Sequence, residues 1–336
     1  MRARVTGFLG SLLMVLLLCA CSAVTQPAGP SIRQPALESK SLIMADGAVL
    51  PLRSWLPEAE PKAAIIAAHG MNDYSNAFDG PGKGLAAKGI AVYAYDQRGF
   101  GQAPHPGWWS STETMAEDLR TASRLIAARH PQTPLYLLGE SMGGAVVIET
   151  GAHAPPPEIR GLILSAPAVW GRASMPWYQR AALWLSYKVA PGWVLTGRGL
   201  KIRPSDNIEM LRALSKDPLV IKETRVDAIH GMVDLMDAAQ EAAPHLELPL
   251  LLLYGAHDEI IPPEPTWAAV AGLPHLGTRQ RAALYENGWH MLLRDLQAQV
   301  VIDDIAAWVE DQSAPLPSGA DRAASGKLET LASETR

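Results

Sequence analysis

The chain has 336 residues, of which 48% are hydrophobic and 19% are charged, a balance typical of a globular protein with a sizeable core. The net charge of −5 and the scattered basic residues exclude the concentrated basic surface of nucleic-acid-binding proteins, so no nucleic-acid partner is expected. One large α/β domain or two smaller domains would both fit this length.

The first 21 residues are typical of an export signal. Two arginines precede an apolar run that is shorter than a membrane span requires. The run ends in the sequence LCAC at positions 18–21, which resembles a bacterial lipoprotein box, and Cys21 fits the lipidated position better than Cys19 because Ala20 precedes it. A plain secretory signal is the alternative. We predict a signal peptide over residues 1–21 with lipidation at Cys21.

The cysteine count agrees with an exported and anchored protein. Cys19 and Cys21 are the only cysteines, so the folded body has no disulfide. Ser22 follows Cys21, and the absence of Asp at this position resembles the Gram-negative pattern for sorting to the outer membrane. The predicted location is the bacterial cell envelope, at the outer membrane and facing the periplasm. Residues 22–38 are polar and rich in Pro, which predicts a flexible tether.

Residues 39–310 alternate between short apolar runs and amphipathic stretches. The runs fit buried strands and are Ala63–Ala68, Ile90–Tyr95, Leu135–Leu138, Leu162–Leu164, Leu250–Tyr254 and Ala282–Tyr285. Thr114–His130 and Val300–Val309 have the spacing of helices, and Ser39–Trp55 predicts two antiparallel strands. This alternation predicts an α/β fold with a mostly parallel sheet and helices on both faces.

Residues 168–243 interrupt the alternation. No strand is predicted in this interval, which contains four of the ten tryptophans, so we interpret it as a helical cap insertion. Trp177 and Trp184 of the cap, with Trp109 of an earlier loop, are candidate walls of a substrate pocket for an apolar acyl group. The alternative is that they only pack the cap onto the body. Residues 311–336 are small, charged and unpatterned, which predicts a disordered tail.

A serine occupies a sharp corner between two glycines. Gly139, Ser141 and Gly143 match G-x-S-x-G, in which a strained strand-to-helix turn exposes a nucleophilic hydroxyl. The motif alone is weak, and an incidental hydroxyl in a small-residue turn is the alternative. The predicted strand before Ser141 and the helix-compatible residues after it favour the nucleophile. The Met142 N–H, at the start of that helix, would then face the site.

A serine hydroxyl needs a base, which is usually a histidine oriented by a buried carboxylate. In this type of sheet the chain order is Ser, then acid, then His. Asp258 and His290 each follow a predicted strand in that order, at the same edge of the sheet as Ser141. We predict that Asp258 is the acid and His290 the base. Glu259, which is adjacent to Asp258, is the alternative acid.

A second donor to the oxyanion is expected in the loop after the strand Ala63–Ala68. The Met71 N–H is the candidate, because Gly70 would let this loop approach Ser141 closely. His69 is interpreted as shaping the loop, since no other histidine or carboxylate has metal-ligand spacing to it. Neither a metal nor a cofactor is expected.

Five motifs, in this order, resemble the α/β-hydrolase superfamily: HGMNDYS, YDQRGFG, GESMGG, YGAHDEIIP and GWHMLLRD. They are similar, more narrowly, to the monoacylglycerol lipase and lysophospholipase-like branch, which is grouped with the serine aminopeptidases (S33). The resemblance covers about Ser39 to Val309. It implies an α/β-hydrolase fold with an eight-stranded sheet and a cap at 168–243.

The resemblance also implies roles for individual residues, with Ser141, Asp258 and His290 as the catalytic triad and Met71 and Met142 as the oxyanion donors. The chain departs from the family's HGxxxHS pattern by having Asp73-Tyr74-Ser75, which leaves substrate preference open. Asp96 and Arg98 match the family's D-x-R-G-x-G turn and are interpreted as structural.

The implied function is a serine carboxylic-ester hydrolase acting on small, lipid-like acyl esters. Its partner would be the membrane, through an N-terminal lipid anchor.

One alternative is a serine peptidase or amidase, which would need a carboxylate that captures the substrate amine. Another is a non-catalytic, membrane-anchored binding lipoprotein. Ser141 argues against the aspartate-nucleophile chemistry of epoxide hydrolases and dehalogenases. Head group, acyl length and oligomeric state stay open.

Overall fold

The computed structural model describes residues 22–197, 199 and 201–334, so the predicted signal peptide and Cys21 lie outside the described residues. The strands are β1 (Ala36–Leu37), β2 (Ser41–Ile43), β3 (Val49–Trp55), β4 (Ala63–Ala68), β5 (Ile90–Tyr95), β6 (Leu135–Glu140), β7 (Ile159–Ser165), β8 (Val194–Thr196), β9 (Glu223–Arg225), β10 (Leu250–Gly255) and β11 (Gln280–Tyr285). The helices are α1 (Asp79–Ala86), α2 (Thr112–Arg129), α3 (Met142–Ala152), α4 (Trp177–Val189), α5 (Ile208–Lys216), α6 (Val226–Ala242), α7 (Pro263–Ala271), α8 (Ala298–Glu310) and α9 (Ala320–Glu334). None of these described helices is long and apolar enough to cross a bilayer.

Nine strands form one sheet in the order β1-β2-β3-β5-β4-β6-β7-β10-β11. The six strands from β5 to β11 in this order pair in parallel, and β1, β2 and β3 add an antiparallel edge. The predicted mostly parallel sheet is therefore confirmed. The expected eight strands become nine because Ala36–Leu37, within the predicted tether, pairs with β2.

Side chains of the central strands alternate between two hydrophobic cores, as a sheet covered on both faces requires. In β4, Ala64 and Ile66 join the core on one face, while Ile65 joins the core on the other. All six parallel strands end at the same edge, here called the carboxyl edge. Ligands of open α/β sheets bind at this edge, so it is where the functional site is expected.

The segment predicted as a flexible tether is folded onto the body, which corrects that prediction. The Gln26 N–H donates to the Trp109 carbonyl at 2.8 Å, and the Ala28 N–H donates to Thr114 Oγ1 at 3.1 Å. The Val24 N–H donates to Asp227 Oδ2 at 3.2 Å. These contacts are made by backbone amides, which explains why the side-chain pattern of the segment gave no sign of them.

The predicted disordered tail is also wrong, because residues 320–334 form helix α9. Ala320 and Ala324 are buried, and Leu328 and Leu331 pack against the core. This helix covers the last strand of the sheet. The buried residues recur at helical spacing, but two of them are alanines, which made the apolar stripe hard to recognise.

The cap differs from the prediction in two respects. It contains a short antiparallel pair of strands, β8 and β9, where no strand was expected. In addition, α6 packs against α3 of the body, and its buried residues include Met232 and Leu235. The predicted cap boundary at residue 243 therefore lies too late, since the last helix of the insertion belongs to the layer that covers the sheet.

Candidate active site

Ser141 occupies the turn between β6 and α3 with a strained backbone. Its φ is 54° and its ψ is −115°, a region that residues other than Gly rarely adopt. Hydrogen bonds hold it there: its N–H donates to the Ser165 carbonyl at 2.9 Å, and its carbonyl accepts from the Ala168 N–H at 3.0 Å. Strain held by surrounding structure is typical of a functional residue.

The two flanking glycines are required by close backbone contacts. A Cβ atom at Gly143 would overlap the Ala68 carbonyl of β4, and one at Gly139 would overlap the Gly143 carbonyl. The turn therefore packs directly against the end of the neighbouring strand. The spacing G-x-S-x-G follows from this packing, which brings Ser141 close to the loop after β4.

Asp258 and His290 meet at the carboxyl edge, as the sequence predicted. Asp258 follows β10, His290 follows β11, and His290 Nδ1 lies 2.8 Å from Asp258 Oδ2. Both side chains are almost completely buried. The other carboxylate oxygen, Oδ1, accepts the N–H groups of Ile260 and Ile261 at 2.8 and 2.9 Å. The carboxylate thus fixes the imidazole ring with its proton on Nδ1, which leaves Nε2 free to accept a proton.

The alternative acid, Glu259, points elsewhere. Glu259 is exposed, and its carboxylate accepts the Arg203 N–H at 2.6 Å. It therefore links the loop after β10 to the cap, and Asp258 is the residue that holds His290.

The loop after β4 lies against the Ser141 turn. A Cβ atom at Gly70 would lie 3.4 Å from the Ser141 Cβ, so the backbone of this loop reaches the candidate nucleophile. Met142 is the first residue of α3, and its N–H therefore has no partner within the helix. Met142 directly follows Ser141, and Met71 directly follows Gly70, so each predicted donor residue is adjacent in sequence to this contact.

His69 fixes the orientation of the peptide that carries the Met71 N–H. Its Nε2 accepts the Gln97 N–H at 3.0 Å, so Nδ1 carries the proton and donates to the Gly70 carbonyl at 2.8 Å. Complete burial lowers the pKa of His69, which keeps the ring neutral. In a trans peptide the N–H points away from the carbonyl, so this bond directs the Met71 N–H away from the His69 ring. The structure thus agrees with the interpretation of His69 as a loop-shaping residue.

A buried ion cluster, which the sequence analysis did not identify as part of the site, joins three loops of the carboxyl edge. Arg294, four residues after His290, donates to Asp73 Oδ2 at 2.7 Å and to Glu140 Oε1 at 3.1 Å. Asp73 belongs to the loop after β4, and Glu140 directly precedes Ser141. Burial opposes the charge of Arg294, but the carboxylates of Glu140 and Asp73 outweigh it and raise its pKa, so the guanidinium stays charged. Each of the three residues belongs to one of the five motifs that resemble the α/β-hydrolases, but only the fold brings them together.

A second set of contacts joins the histidine loop to the cap. Asp295 accepts the Trp289 N–H at 2.8 Å and the Ser205 hydroxyl at 2.6 Å. Asn207 Nδ2 donates to the Arg294 carbonyl at 2.9 Å. Burial raises the pKa of Asp295 to about 6, although both hydrogen bonds oppose the rise. The segment of the cap around Ser205 and Asn207 and the loop of His290 are therefore held together.

The three tryptophans predicted to line a pocket lie in other environments. Trp109 is buried, and its ring occupies the space beside Gly231 of α6. Trp177 and Trp184 are 77% and 61% exposed on α4. The expected lining role is therefore corrected to packing for Trp109 and to an exposed surface of the cap for the other two.

Asp96 and Arg98 brace the fold, in agreement with their structural interpretation. Arg98 donates to both carboxylate oxygens of Asp118, at 2.6 and 3.0 Å, and to both of Asp46. Asp96 accepts the Ser75 N–H at 2.9 Å. These bonds anchor the loop after β5 beside the site.

Comparisons with known proteins agree with this architecture. Residues 59–297 match the family model described as "Serine aminopeptidase, S33". A monoacylglycerol lipase from Mycolicibacterium smegmatis is 28% identical over 76% of this chain and 90% of its own length. A monoglyceride lipase from Rattus norvegicus is 27% identical over 83% of this chain and 93% of its own length.

Solved structures show the same fold. The monoacylglycerol lipase of Paleococcus ferrophilus superimposes with a TM-score of 0.66 at 24% identity, over 79% of this chain and 99% of that one. A soluble variant of the Saccharomyces cerevisiae monoglyceride lipase, in complex with a substrate analog, superimposes with a TM-score of 0.70 at 18% identity, over 86% and 99% of the two chains.

Proposed function

Because the chain belongs to the serine aminopeptidase S33 family of α/β-hydrolases, we propose that it is a serine carboxylic-ester hydrolase of the monoacylglycerol lipase or lysophospholipase type. The observation that carries the proposal is the buried Asp258–His290 pair on the same sheet edge as the strained Ser141. The relatives named monoacylglycerol lipase and monoglyceride lipase support an ester of a lipid-like acyl group as the substrate.

The proposed reaction uses Ser141, His290 and Asp258 as a triad. The Ser141 oxygen attacks the acyl carbonyl while its proton passes to His290 Nε2. The N–H groups of Met71 and Met142 stabilise the negative oxygen of the tetrahedral intermediate. The intermediate collapses to an acyl-enzyme as the alcohol leaves with the proton from His290. Water then attacks the acyl-enzyme, again with His290 as the base, and releases the fatty acid.

Two alternatives are less well supported. Amine capture by a peptidase needs a free carboxylate near the nucleophile. The two acidic residues of the loops around Ser141 described above, Asp73 and Glu140, are buried and both paired with Arg294, so neither carboxylate is free to bind an amine. A non-catalytic binding protein would have no need for the strain at Ser141 or for the buried Asp258–His290 pair.

A substrate panel tests this proposal. Purified protein should hydrolyse monoacylglycerol, lysophospholipid and p-nitrophenyl esters, and should leave aminoacyl amides intact. Ser141→Ala and His290→Ala should each reduce kcat by roughly 10⁴-fold or more, because the reaction loses its nucleophile or its proton acceptor. Full esterase activity in Ser141→Ala would show that the proposed nucleophile is wrong.

We also propose that Cys21 carries the lipid that holds the protein at the cell envelope, on the outer membrane. The support is the sequence at positions 18–21 and the absence of any other cysteine in the mature chain. Each buried CH₂ of an acyl chain contributes about 0.8 kcal/mol, so several chains hold a protein stably. Cys21→Ala should move the protein from the membrane fraction to the soluble fraction while the purified enzyme stays active. A soluble wild type would indicate a cleaved secretory signal instead.

A further inference from the structure

The Met71 N–H, one of the two proposed oxyanion donors, belongs to a tight turn at residues 70–73, here called the oxyanion turn. The Asp73 N–H donates to the Gly70 carbonyl at 3.3 Å and closes the turn. Asn72, the third residue, has a φ of 67°, the left-handed conformation that a type II turn requires at this position. Asn adopts this conformation more readily than most residues, because its short side chain bonds locally. The backbone next to the donor is therefore held in a defined conformation.

The cap bonds two polar groups of Asn72. The Ile221 N–H donates to the Asn72 carbonyl at 2.9 Å, and Asn72 Nδ2 donates to Thr224 Oγ1 at 2.7 Å. Thr224 is the middle residue of β9, and Ile221 packs against the hydrophobic core. The unexpected strand β9 is therefore the part of the cap that contacts the oxyanion turn.

A second bond to the cap follows directly after the turn. The Tyr74 hydroxyl donates to Asp217 Oδ2 at 2.7 Å, and Asp217 follows the last residue of α5. Burial, together with this bond, raises the pKa of Tyr74, so the hydroxyl keeps its proton and stays a donor. Tyr74 occupies the position of the histidine in the family's HGxxxHS pattern. At this departure from the pattern, the side chain of this protein contacts the cap.

The body holds the two ends of the oxyanion turn. The Gly70 carbonyl accepts His69 Nδ1 at 2.8 Å, and Asp73 Oδ2 accepts Arg294 Nη1 at 2.7 Å. The turn is thus bonded to the body at its first and last residues and to the cap at Asn72. A shift of β9 would therefore act on the residue that directly follows the donor.

The cap also bonds to the loop of His290. The Met291 N–H donates to the Pro204 carbonyl at 3.0 Å, next to the Ser205–Asp295 bond described above. One insertion therefore contacts the loops of two groups proposed to act in the same reaction, the base and an oxyanion donor. We expect the position of the cap to affect the geometry of the proposed site.

We propose that the cap completes the oxyanion site, with β9 holding the Met71 N–H in position through the bond between Asn72 and Thr224. The inference rests on the proposed function, because it needs a reaction that forms an oxyanion. Asn72 and Thr224 are positioning residues, which act on the donor and not on the substrate. A misplacement of about 1 Å can lower a rate about 10²-fold, so the loss of one bond outside the triad should be visible in kcat.

Kinetics on a soluble p-nitrophenyl ester tests this bond. Thr224→Val keeps the shape of the side chain but removes the oxygen that accepts from Asn72. It should lower kcat roughly 10–100-fold with little change in KM, since both half-reactions pass through an oxyanion. Thr224→Ser keeps the oxygen and should retain most of the wild-type kcat. The matched control is Ser215→Ala, which removes an exposed cap hydroxyl bonded to the Arg212 carbonyl, and it should behave like the wild type.

Asn72→Gly completes a double-mutant cycle. Glycine readily adopts a positive φ, so this change keeps the turn and removes only the side-chain bond to Thr224. It should lower kcat about as much as Thr224→Val, and the double variant should lose no more, because both changes remove the same bond. Effects that multiply in the double variant would overturn the proposal. A loss in Asn72→Gly that Thr224→Val does not share would also overturn it, since the amide would then act without the cap.

Inhibition by a trifluoromethyl ketone separates positioning from a general loss of structure. The Ser141 oxygen adds to the ketone carbon, its proton passes to His290, and the carbonyl oxygen becomes an oxyanion that needs the same donors. In Thr224→Val the inhibition constant should rise by about the factor by which kcat/KM falls, while the midpoint of thermal unfolding stays close to that of the wild type. An unchanged inhibition constant would overturn the positioning role.

The activity of the wild type distinguishes the two levels of the account. A wild type that neither hydrolyses esters nor binds the ketone would contradict the proposed function, and this inference with it. A wild type that hydrolyses esters, together with fully active Thr224→Val and Asn72→Gly variants, would contradict the role of the cap alone.

Discussion

The carboxyl edge and helix α4 of the cap are built in opposite ways. At the carboxyl edge, polar groups are buried and bonded to one another, as in the Asp258–His290 pair and the Arg294 cluster. On α4, large apolar groups are exposed, and the helix has no buried residue. The first region fixes the positions of polar groups, whereas the second leaves apolar area uncovered. Substitutions should therefore affect the proposed catalysis in the first region and have only small effects on stability in the second.

The largest difference is expected between the two adjacent acids of the loop after β10. Asp258→Asn removes the charge that orients and stabilises the His290 ring, and should lower kcat by about 10⁴-fold, the effect known for the equivalent change in a serine protease triad. Glu259→Gln changes an exposed contact to the Arg203 backbone and should lower kcat less than about threefold. Steady-state kinetics on a soluble ester measures both. A more severe loss in Glu259→Gln would reverse the assignment of the acid.

The Arg294 cluster should be the next most sensitive feature of the carboxyl edge. Arg294→Met would leave the carboxylates of Asp73 and Glu140 buried without a counter-ion, and breaking a buried pair costs about 3–5 kcal/mol of stability. The loops of Met71 and Ser141 should also shift, and a misplaced oxyanion donor lowers kcat by about 10²–10³-fold. We expect KM to change little, because the three side chains of the cluster are at most 10% exposed and are therefore not available to contact an acyl chain.

Two further variants separate positioning from stability. Arg294→Lys should recover part of kcat, since it keeps one charge between the two carboxylates. The neutral triple variant Asp73→Asn, Glu140→Gln, Arg294→Met should recover most of the stability, because no buried charge is left unpaired. If kcat also returned to the wild-type value in the triple variant, the cluster would serve stability alone.

Asp295 should make the stability of the folded protein depend on pH. Its pKa of about 6 in the folded protein exceeds the ordinary value of 3.8, so the folded state binds more protons than the unfolded state between these values. Its contribution to stability is therefore present at low pH and is lost as the pH rises through about 6, by about 3 kcal/mol in total. Asn at this position keeps an acceptor for the Trp289 N–H without a charge.

The difference between the wild type and Asp295→Asn isolates this effect, because all other groups titrate in both proteins. Urea unfolding at pH 4.5 and pH 7.5 should show the variant gaining stability relative to the wild type at the higher pH. A difference that stays constant between the two pH values would show that Asp295 titrates normally.

The smallest effects should come from α4 of the cap. Leu183→Ala removes a side chain that packs against the core and should lower the free energy of unfolding by about 1–3 kcal/mol. Trp184→Ser, on the adjacent and exposed position of the same helix, should stay within about 0.5 kcal/mol of the wild type. Thermal or urea unfolding of the two variants compares the two sides of α4. A larger loss in Trp184→Ser would show that the outer side is packed in solution.

The sequence predicted the parts of the fold whose pattern is local. Strands β4 and β5 have the predicted bounds, because fully buried parallel strands are continuous apolar runs. The turn at Ser141 and the pairing of Asp258 with His290 were also predictable, since the order of the loops along the carboxyl edge follows from the topology. The contacts that hold these loops together could not be predicted from local sequence patterns.

The remaining features depend on partners distant in sequence. Arg294 meets residues 154 and 221 positions away, which no local pattern reveals. Residues 24–28 bind to the body through backbone amides, whereas the Pro-rich composition of this segment suggested a tether. The outer tryptophans were assigned to a pocket because a large apolar residue predicts burial, and α4 is the element that violates this tendency.

The most direct test of the account is to locate the nucleophile by chemical labelling. A fluorophosphonate should react with the purified wild type, and mass spectrometry should place the adduct on Ser141. The adduct should be absent in Ser141→Ala and strongly slowed in His290→Ala, because the hydroxyl is then no longer activated. Labelling of another serine, or undiminished labelling of Ser141 in the His290→Ala variant, would contradict the proposed triad.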